Sequence, residues 1–398
     1  MPKANHQKNF LFIATISLFI VTATILVSLL ARGYKLNINN GIVLSPSGLL
    51  SLTSNPKPAS VFINDRLVTA TDDTLNLPPG IYDIKISKDG YLPWQKTLTI
   101  KKEVVSPTDA HLFRSAPILE PLSLSGAINP SVSPDKSKVT FAVASASATT
   151  NNGLYLAELN NSLPLGTRNT PKLIKPNTFF IDWTQAQSFT FSPDSNQILV
   201  TFVNANYLID LANLNKPLYD ITAQLPLIME EWQQKEDEII QTRLSSLPPQ
   251  IIPFISTQSA NHIQISPDKD KILYFASIDG NLETNIITPP PSQSTQSQQR
   301  QIKSGFYYIY DIKQDTNFEI GDLNSIETPF WLPNSQNIIF AQQEKINVIE
   351  YDNTNKHTLF VNKLKSNIIA AWADGSKLVT LTTAYSGAQD NLYTIVIK

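Results

Sequence analysis

Five times between residues 131 and 381 the chain repeats one pattern: an apolar or aromatic residue, a Pro-Asp-like turn, then a β-rich strand. The copies are Ser131–Val143 (SVSPDKSKVTFAV), Phe191–Phe202 (FSPDSNQILVTF), Ile265–Ala276 (ISPDKDKILYFA), Trp331–Phe340 (WLPNSQNIIF) and Trp372–Leu381 (WADGSKLVTL). Proline presets φ at such a turn, and Asp or Asn caps the free backbone amides. A second strand-like element trails each copy: Gly153–Leu159, Asn206–Leu211, Gly305–Ile312, Lys345–Tyr351 and Asn391–Ile397. A further strand is predicted at Pro171–Ile174, Leu218–Thr222, Phe318–Leu323 and His357–Val361. Sheets this small do not bury their own apolar faces and must stack on one another. The expectation is therefore a β-propeller over residues 117–398, with five blades, or six if a degenerate copy hides in an insertion. The last copy ends at its third strand. The spare strand Pro117–Leu124 is predicted to supply the missing outer strand, which removes the open edge of the last blade.

Two insertions break the spacing. In residues 226–247 (PLIMEEWQQKEDEIIQTRLSSL), Ile228, Trp232, Ile239, Arg243 and Leu247 share one helical face, with Leu244 beside them. Pro226 suits a helix start and Pro248-Pro249 a stop. This reads as an amphipathic helix projecting from the β unit, whose apolar face packs on the propeller rim or docks a partner. Residues 288–303 (TPPPSQSTQSQQRQIK) carry almost no apolar side chain and are predicted to be a flexible loop.

Ahead of the repeats, Phe10–Leu30 (FLFIATISLFIVTATILVSLL) is a run of 21 residues without charge, long enough to cross roughly 30 Å of hydrocarbon as a helix. The rival is a cleaved signal peptide. Its apolar core is usually about 7–15 residues, and Ser28–Arg32 makes a poor cleavage site. The reading is an uncleaved single-pass anchor, with residues 1–9 as a cytoplasmic tail and the folded mass extracytoplasmic. Lys3 and Lys8 flank one side and Arg32 and Lys35 the other, so local charge sets orientation only weakly. Residues 31–47 read as a linker.

Residues 48–114 follow as short alternating segments: Gly48–Ser54, Ser60–Asn64, Thr74–Leu77, Ile81–Ser87 and Gln95–Ile100. Asn55-Pro56, Asn64-Asp65, Pro78-Pro79-Gly80 and Asp89-Gly90 separate them as turn signals. This segment resembles a PEGA domain through the strand entry Pro56-Lys57-Pro58-Ala59-Ser60-Val61, the Pro79-Gly80-Ile81-Tyr82 turn and the Asp89-Gly90-Tyr91 turn. It departs at Pro58 and Asp65, where that family shows glycine. The resemblance implies a surface β-sandwich attached to larger extracellular modules and no catalytic residue. The repeat in turn is similar to the WSPDG-type repeat of TolB-like propellers, and the whole layout resembles PEGA-domain proteins of bacterial membranes. The fold class expected is mainly β: a transmembrane helix, a small sandwich and a propeller with one helical insertion.

The net charge of -2 offers no basic field for nucleic acid, and the absence of cysteine removes thiolate chemistry and Cys-ligated metal. His6, His111, His262 and His357 lie outside metal-ligand spacing and read as surface or turn residues. Asp135, Asp194 and Asp268 recur at equivalent turns; the structural reading outweighs calcium ligation or acid catalysis. Glu230, Glu231, Glu236, Asp237 and Glu238 read as a solvated helix face rather than a cation site. Tyr82, Tyr91 and Trp94 read as packing residues rather than a ligand platform. No catalytic, cofactor-binding or metal residue is assigned, and no cofactor is expected. The function expected is a non-enzymatic binding or scaffold protein of the cell envelope, its propeller face meeting a protein or glycan. The alternatives are a propeller-based hydrolase or lyase, marked by a polar pocket with perturbed carboxylates in the central channel, and a TolB-like accessory factor in envelope assembly or transport.

Overall fold

The computed structural model describes residues 4–31, 34–37, 43–144, 151–160, 170–255, 262–284, 288, 290–322, 324, 326–362, 364–383 and 389–398. Lys3 and Arg32, two of the cations flanking the apolar run, lie outside the described residues, as does part of the stretch read as a linker. The chain divides into two units.

The first unit opens with α1 (Ala4–Ala31), whose segment Phe12–Leu29 is long and apolar enough to cross a membrane and has no buried residue. Its threonine hydroxyls bond back to carbonyls of the same helix. Thr22 Oγ1 donates to Leu18 O at 2.9 Å and Thr24 Oγ1 to Ile20 O at 2.8 Å, the arrangement hydrocarbon demands. The stretch read as a linker carries a short hairpin, β1 (Lys35–Asn37) on β2 (Val43–Ser45). Seven strands follow: β3 (Gly48–Asn55), β4 (Ser60–Ile63), β5 (Arg66–Ala70), β6 (Asp73–Leu77), β7 (Gly80–Ser87), β8 (Trp94–Ile100) and β9 (Val105–His111). They form two sheets in the orders β6-β3-β9 and β5-β4-β7-β8. Alternation in β3 and β7 turns Leu50, Leu52, Ile84 and Ile86 inward, where each is fully buried. Gly48 is required by close approach: a Cβ there would sit 2.3 Å from Lys101 O. This unit also takes in Pro290–Gln296 of the second insertion, where Gln296 Nε2 donates to Thr97 O on the edge strand β8 at 2.9 Å.

The second unit is a five-bladed propeller. Before the first repeat runs β10 (Ile118–Pro121). Blade 1 is β11 (Ile128–Val132), β12 (Lys138–Val143), β13 (Gly153–Glu158) and β14 (Lys172–Pro176). Blade 2 is β15 (Ser188–Phe191), β16 (Gln197–Thr201) and β17 (Asn206–Asp210). After α2 (Leu225–Ser245), blade 3 starts with β18 (Gln264–Ile265) and β19 (Lys271–Phe275). A small hairpin, β20 (Gly280–Asn281) with β21 (Gln301–Ile302), bounds the second insertion, and blade 3 ends with β22 (Phe306–Asp311) and β23 (Thr316–Asp322). Blade 4 is β24 (Glu327–Trp331), β25 (Asn337–Gln342), β26 (Lys345–Glu350) and β27 (His357–Val361). Blade 5 is β28 (Leu364–Ala371), β29 (Lys377–Thr382) and β30 (Asn391–Val396), with β10 as its outer strand. The register Ile118↔Val396 through Pro121↔Tyr393 ties the start of the module to its end.

The blades stack as the repeat demands. Leu154 and Ile174 of blade 1 meet Phe189 and Ile198 of blade 2. Leu273 and Tyr307 of blade 3 meet Ile338 and Phe340 of blade 4. Blade 4 packs Ile339 and Val348 on Leu378 and Ile395 of blade 5. Blade 5 returns through Trp372 and Val379 to Val139 and Phe141 of blade 1. Burying such a side chain is worth about 1.5–3 kcal/mol, so each seam contributes substantially.

Two expectations are corrected. The predicted fourth strand of blade 2, Leu218–Thr222, is reduced to a single bridge between Tyr207 and Asp220. Asp220 Oδ1 accepts from the Thr222 amide (2.9 Å) and hydroxyl (2.5 Å), and this local turn replaces a ladder. The helical insertion does not project. It stands between blades 2 and 3: Trp232 Nε1 donates to Gln197 Oε1 of blade 2 (3.3 Å), while Ile240, Leu244 and Leu247 pack with Ile272 and Tyr274 of blade 3. Trp232 is buried by this placement, and Ile228, Ile239, Ile240 and Leu244 are half-buried.

Candidate functional site

The turn after each inner strand is built one way. Ser133 Oγ donates to Asp135 Oδ1 (2.5 Å) and accepts the Lys138 amide (2.9 Å), while Asp135 Oδ1 accepts the Ser137 amide (3.0 Å). Ser192 with Asp194 and Ser266 with Asp268 repeat these contacts. In the divergent copies Asn334 Oδ1 accepts the Gln336 amide (3.1 Å) and Asp374 Oδ1 the Ser376 amide (2.9 Å). The next residue always has positive φ: Lys136 60°, Ser195 60°, Lys269 64°, Ser335 58° and Gly375 65°. The recurring carboxylates are therefore turn caps at a left-handed corner, which explains glycine in the fifth copy.

Burial alone would raise the pKa of Asp135, Asp194 and Asp268. The serine hydroxyls and turn amides, with Lys138, Lys235 and Lys271 nearby, outweigh it and hold all three below the ordinary carboxylate range. A depressed native pKa contributes stability that is complete above the unfolded value near about 4. That stability disappears as pH falls through the lowered native values. Urea titrations at stepped pH are expected to show the propeller weakening below about pH 4. The triple change Asp135→Asn, Asp194→Asn, Asp268→Asn should flatten that fall; an unchanged acid limb would contradict the assignment.

These turns, with α2, surround a cavity of 1250 Å³ lined by residues from all five blades. Its charged lining mixes Lys136 and Arg243 with Asp135, Glu236 and Glu327. Trp232, Trp331 and Trp372 also line it, each less than a tenth exposed. Burial lowers the pKa of Lys136. His262, read from sequence as a surface or turn residue, is exposed but lines this cavity, with Nδ1 3.1 Å from the Tyr307 hydroxyl. Burial pushes Tyr307 up to about 12 and pushes His262 down, so both are neutral near pH 7. Sequence spacing held no sign of this pair, because its partners come from two strands' ends 45 residues apart.

Of the other residues weighed, Glu230, Glu231, Asp237 and Glu238 are exposed on α2, and Glu231 pairs with Lys235 at 3.1 Å. His6 lies in α1 and His357 in β27. His111 departs from a surface reading: its side chain is 10% exposed and Nε2 lies 3.3 Å from Asp109. No group of three His, Cys, Asp or Glu placed to hold a metal occurs among the described residues.

Comparison with known proteins bears first on β3 to β9. Residues 47–114 match the PEGA domain family. This segment is a PEGA domain. Within it Trp94 is core at 3% exposure, Tyr82 donates to Pro78 O at 2.9 Å, and Tyr91 lies under the Arg114 guanidinium. Trp94 is thus a core residue, and each tyrosine is half-buried with a contact of its own. No curated protein matches the chain in sequence. Among solved structures it aligns with TolB from Acinetobacter baumannii at 14% identity and TM-score 0.23, over 80% of this chain and 60% of that one. An auxiliary nutrient binding protein from Bacteroides thetaiotaomicron aligns at 9% and 0.20, over 86% and 74%. An acylaminoacyl peptidase from Pyrococcus horikoshii aligns at 13% and 0.20, over 68% and 39%. The chain thus spans 60% of the length of the first of these. The propeller assignment rests on the five sheets and their stacking, not on these scores.

Proposed function

We propose that the chain is a membrane-tethered, non-enzymatic binding or scaffold protein of the bacterial cell envelope. In this reading α1 anchors it, the PEGA domain and propeller lie outside the membrane, and the central cavity seats a protein or envelope glycan. The observation that carries the reading is the cavity itself. At 1250 Å³ it exceeds the roughly 300–1,000 Å³ of small-molecule pockets, and its lining mixes charges of both signs. The carboxylate Asp135 in its wall is a turn cap with a lowered pKa, not a raised general acid, which favours binding over hydrolysis.

Full-length tagged chain, crosslinked in its own membrane, is expected to retain an envelope partner that the variant Lys136→Glu, Arg243→Glu loses. Equal recovery by both would remove the cavity as the seat. Protease added to intact cells should degrade both units, and full protection would reject the outward topology.

A further inference from the structure

The most exposed large hydrophobic residues among those described lie in the connection from β14 of blade 1 to β15 of blade 2. Phe179 and Phe180 are 96% and 90% exposed, above every other large hydrophobic residue described. They occupy the two tip positions of a turn pinned from both sides. The Thr178 amide donates to Ile181 O (2.9 Å) and the Ile181 amide to Thr178 Oγ1 (3.0 Å). Below the tip, Ile181 packs into the blade core with Trp183, Phe202 and Tyr207. The rings are held edge-to-face at 5.3 Å. Exposed aromatics on a floppy loop carry little information; two on a braced tip are held ready for an apolar medium.

The same end of the blade carries more. Val203, in the β16–β17 hairpin, is 75% exposed. Tyr219 is 70% exposed, and the adjoining residues return to the start of β17 through Ile221 N to Asn206 O (2.8 Å). The Gln187 amide bonds Thr201 O, which puts the Phe turn's connection at this end too. Residues 177–181 hold no charge. The neighbouring Asp182 carboxylate is occupied by Thr184 and Asn177 (2.7 Å each). Two phenylalanines at a convex tip, an aliphatic residue and a tyrosine beside them match the aromatic and aliphatic chemistry of interfacial anchors.

We propose that this end of blade 2 inserts into the headgroup–acyl boundary of a phospholipid bilayer. The proposal rests on α1 anchoring the chain, which holds the tip at high effective concentration near a membrane. A convex tip fits a deformable lipid surface better than it fits a flat protein face.

The absence of cysteine allows a direct test. Full chain with a single Phe180→Cys, carrying an environment-sensitive fluorophore, is reconstituted in phosphatidylethanolamine–phosphatidylglycerol vesicles with nitroxide-labelled acyl chains. At least twofold quenching is expected at position 180, reduced by Phe179→Ser in the same chain. Gln241→Cys, on an exposed position of α2, should show none. Ser28→Cys inside α1 reports the anchor separately. Quenching at 28 without quenching at 180 overturns the proposal while the anchor stands; absence at both overturns anchor and proposal together. A label at 180 that is shielded only after envelope proteins are added also overturns it, in favour of a protein pocket.

Discussion

Deleting Pro117–Leu124 is expected to lower the melting temperature of the propeller by about 10–20 °C. The strand this removes makes four register pairs with β30, from Ile118↔Val396 to Pro121↔Tyr393. It also supplies Glu120 to Lys377 at 2.7 Å, and Ser123, whose hydroxyl donates to Asn391 Oδ1 and accepts the Leu392 amide, both at 2.9 Å. Leu119 packs on the core between blades 4 and 5. At about 0.5–1.5 kcal/mol net per hydrogen bond, with Leu119's burial added, the loss comes to roughly 5 kcal/mol. At about 2–4 °C per kcal/mol for a domain of this size, that gives the stated shift. Beyond the energy, β30 would become an open edge, so aggregation on heating should increase. Replacing Ile118–Pro121 by Gly-Ser-Gly-Ser keeps the chain length and should reproduce most of the loss, which separates strand pairing from a shortened connection. Calorimetry on the full chain in detergent reads the result. An unshifted propeller transition would mean that the ring does not depend on this closure.

That strand was legible in the sequence because a repeat with one strand missing at its end and one to spare at its start has few ways to close. The turns were legible for a similar reason: Ser133-Pro134-Asp135 and its copies carry a complete local hydrogen-bonding scheme, so their role needs no distant partner. The seam filled by α2 was not. Periodicity finds the stripe of Trp232, Leu244 and Leu247 but does not tell what it faces. The His262–Tyr307 contact lay beyond reach for the same reason, since it depends on how two strands' ends meet in three dimensions. The blade 2 strand at Leu218–Thr222 failed in the opposite way. Its pattern suits a ladder, and one aspartate with a threonine two residues on turned the backbone aside.

Composition misled most at Arg300, and there the second large effect is expected. The segment around it reads as polar loop, yet the Arg300 side chain is 16% exposed and meets the Asp315 carboxylate, itself 4% exposed, at 3.0 Å. The guanidinium also donates to the Asp315 carbonyl, to Glu283 O at 2.8 Å and to Gln298 Oε1 at 2.9 Å. Asp315 accepts the Tyr310 hydroxyl at 2.8 Å, and Asn317 links the Gln299 carbonyl to the Tyr274 hydroxyl. One cation thus pins the return of the insertion to the tyrosine face of blade 3, against which Leu247, Ile251 and Phe254 pack. Arg300→Ala strands a buried carboxylate and several acceptors at once, a loss of about 3–5 kcal/mol. Arg300→Lys keeps the charge but not the planar fork, so it should recover only part of this. Adding Asp315→Asn to Arg300→Ala removes the stranded charge and should restore stability relative to the single change, the non-additivity expected of groups in contact. Urea unfolding of the parent chain, Arg300→Ala, Asp315→Asn and the double variant reads the cycle. A loss below about 1 kcal/mol for Arg300→Ala would place this pair with exposed ion pairs, whose removal costs little, and would release the insertion from blade 3.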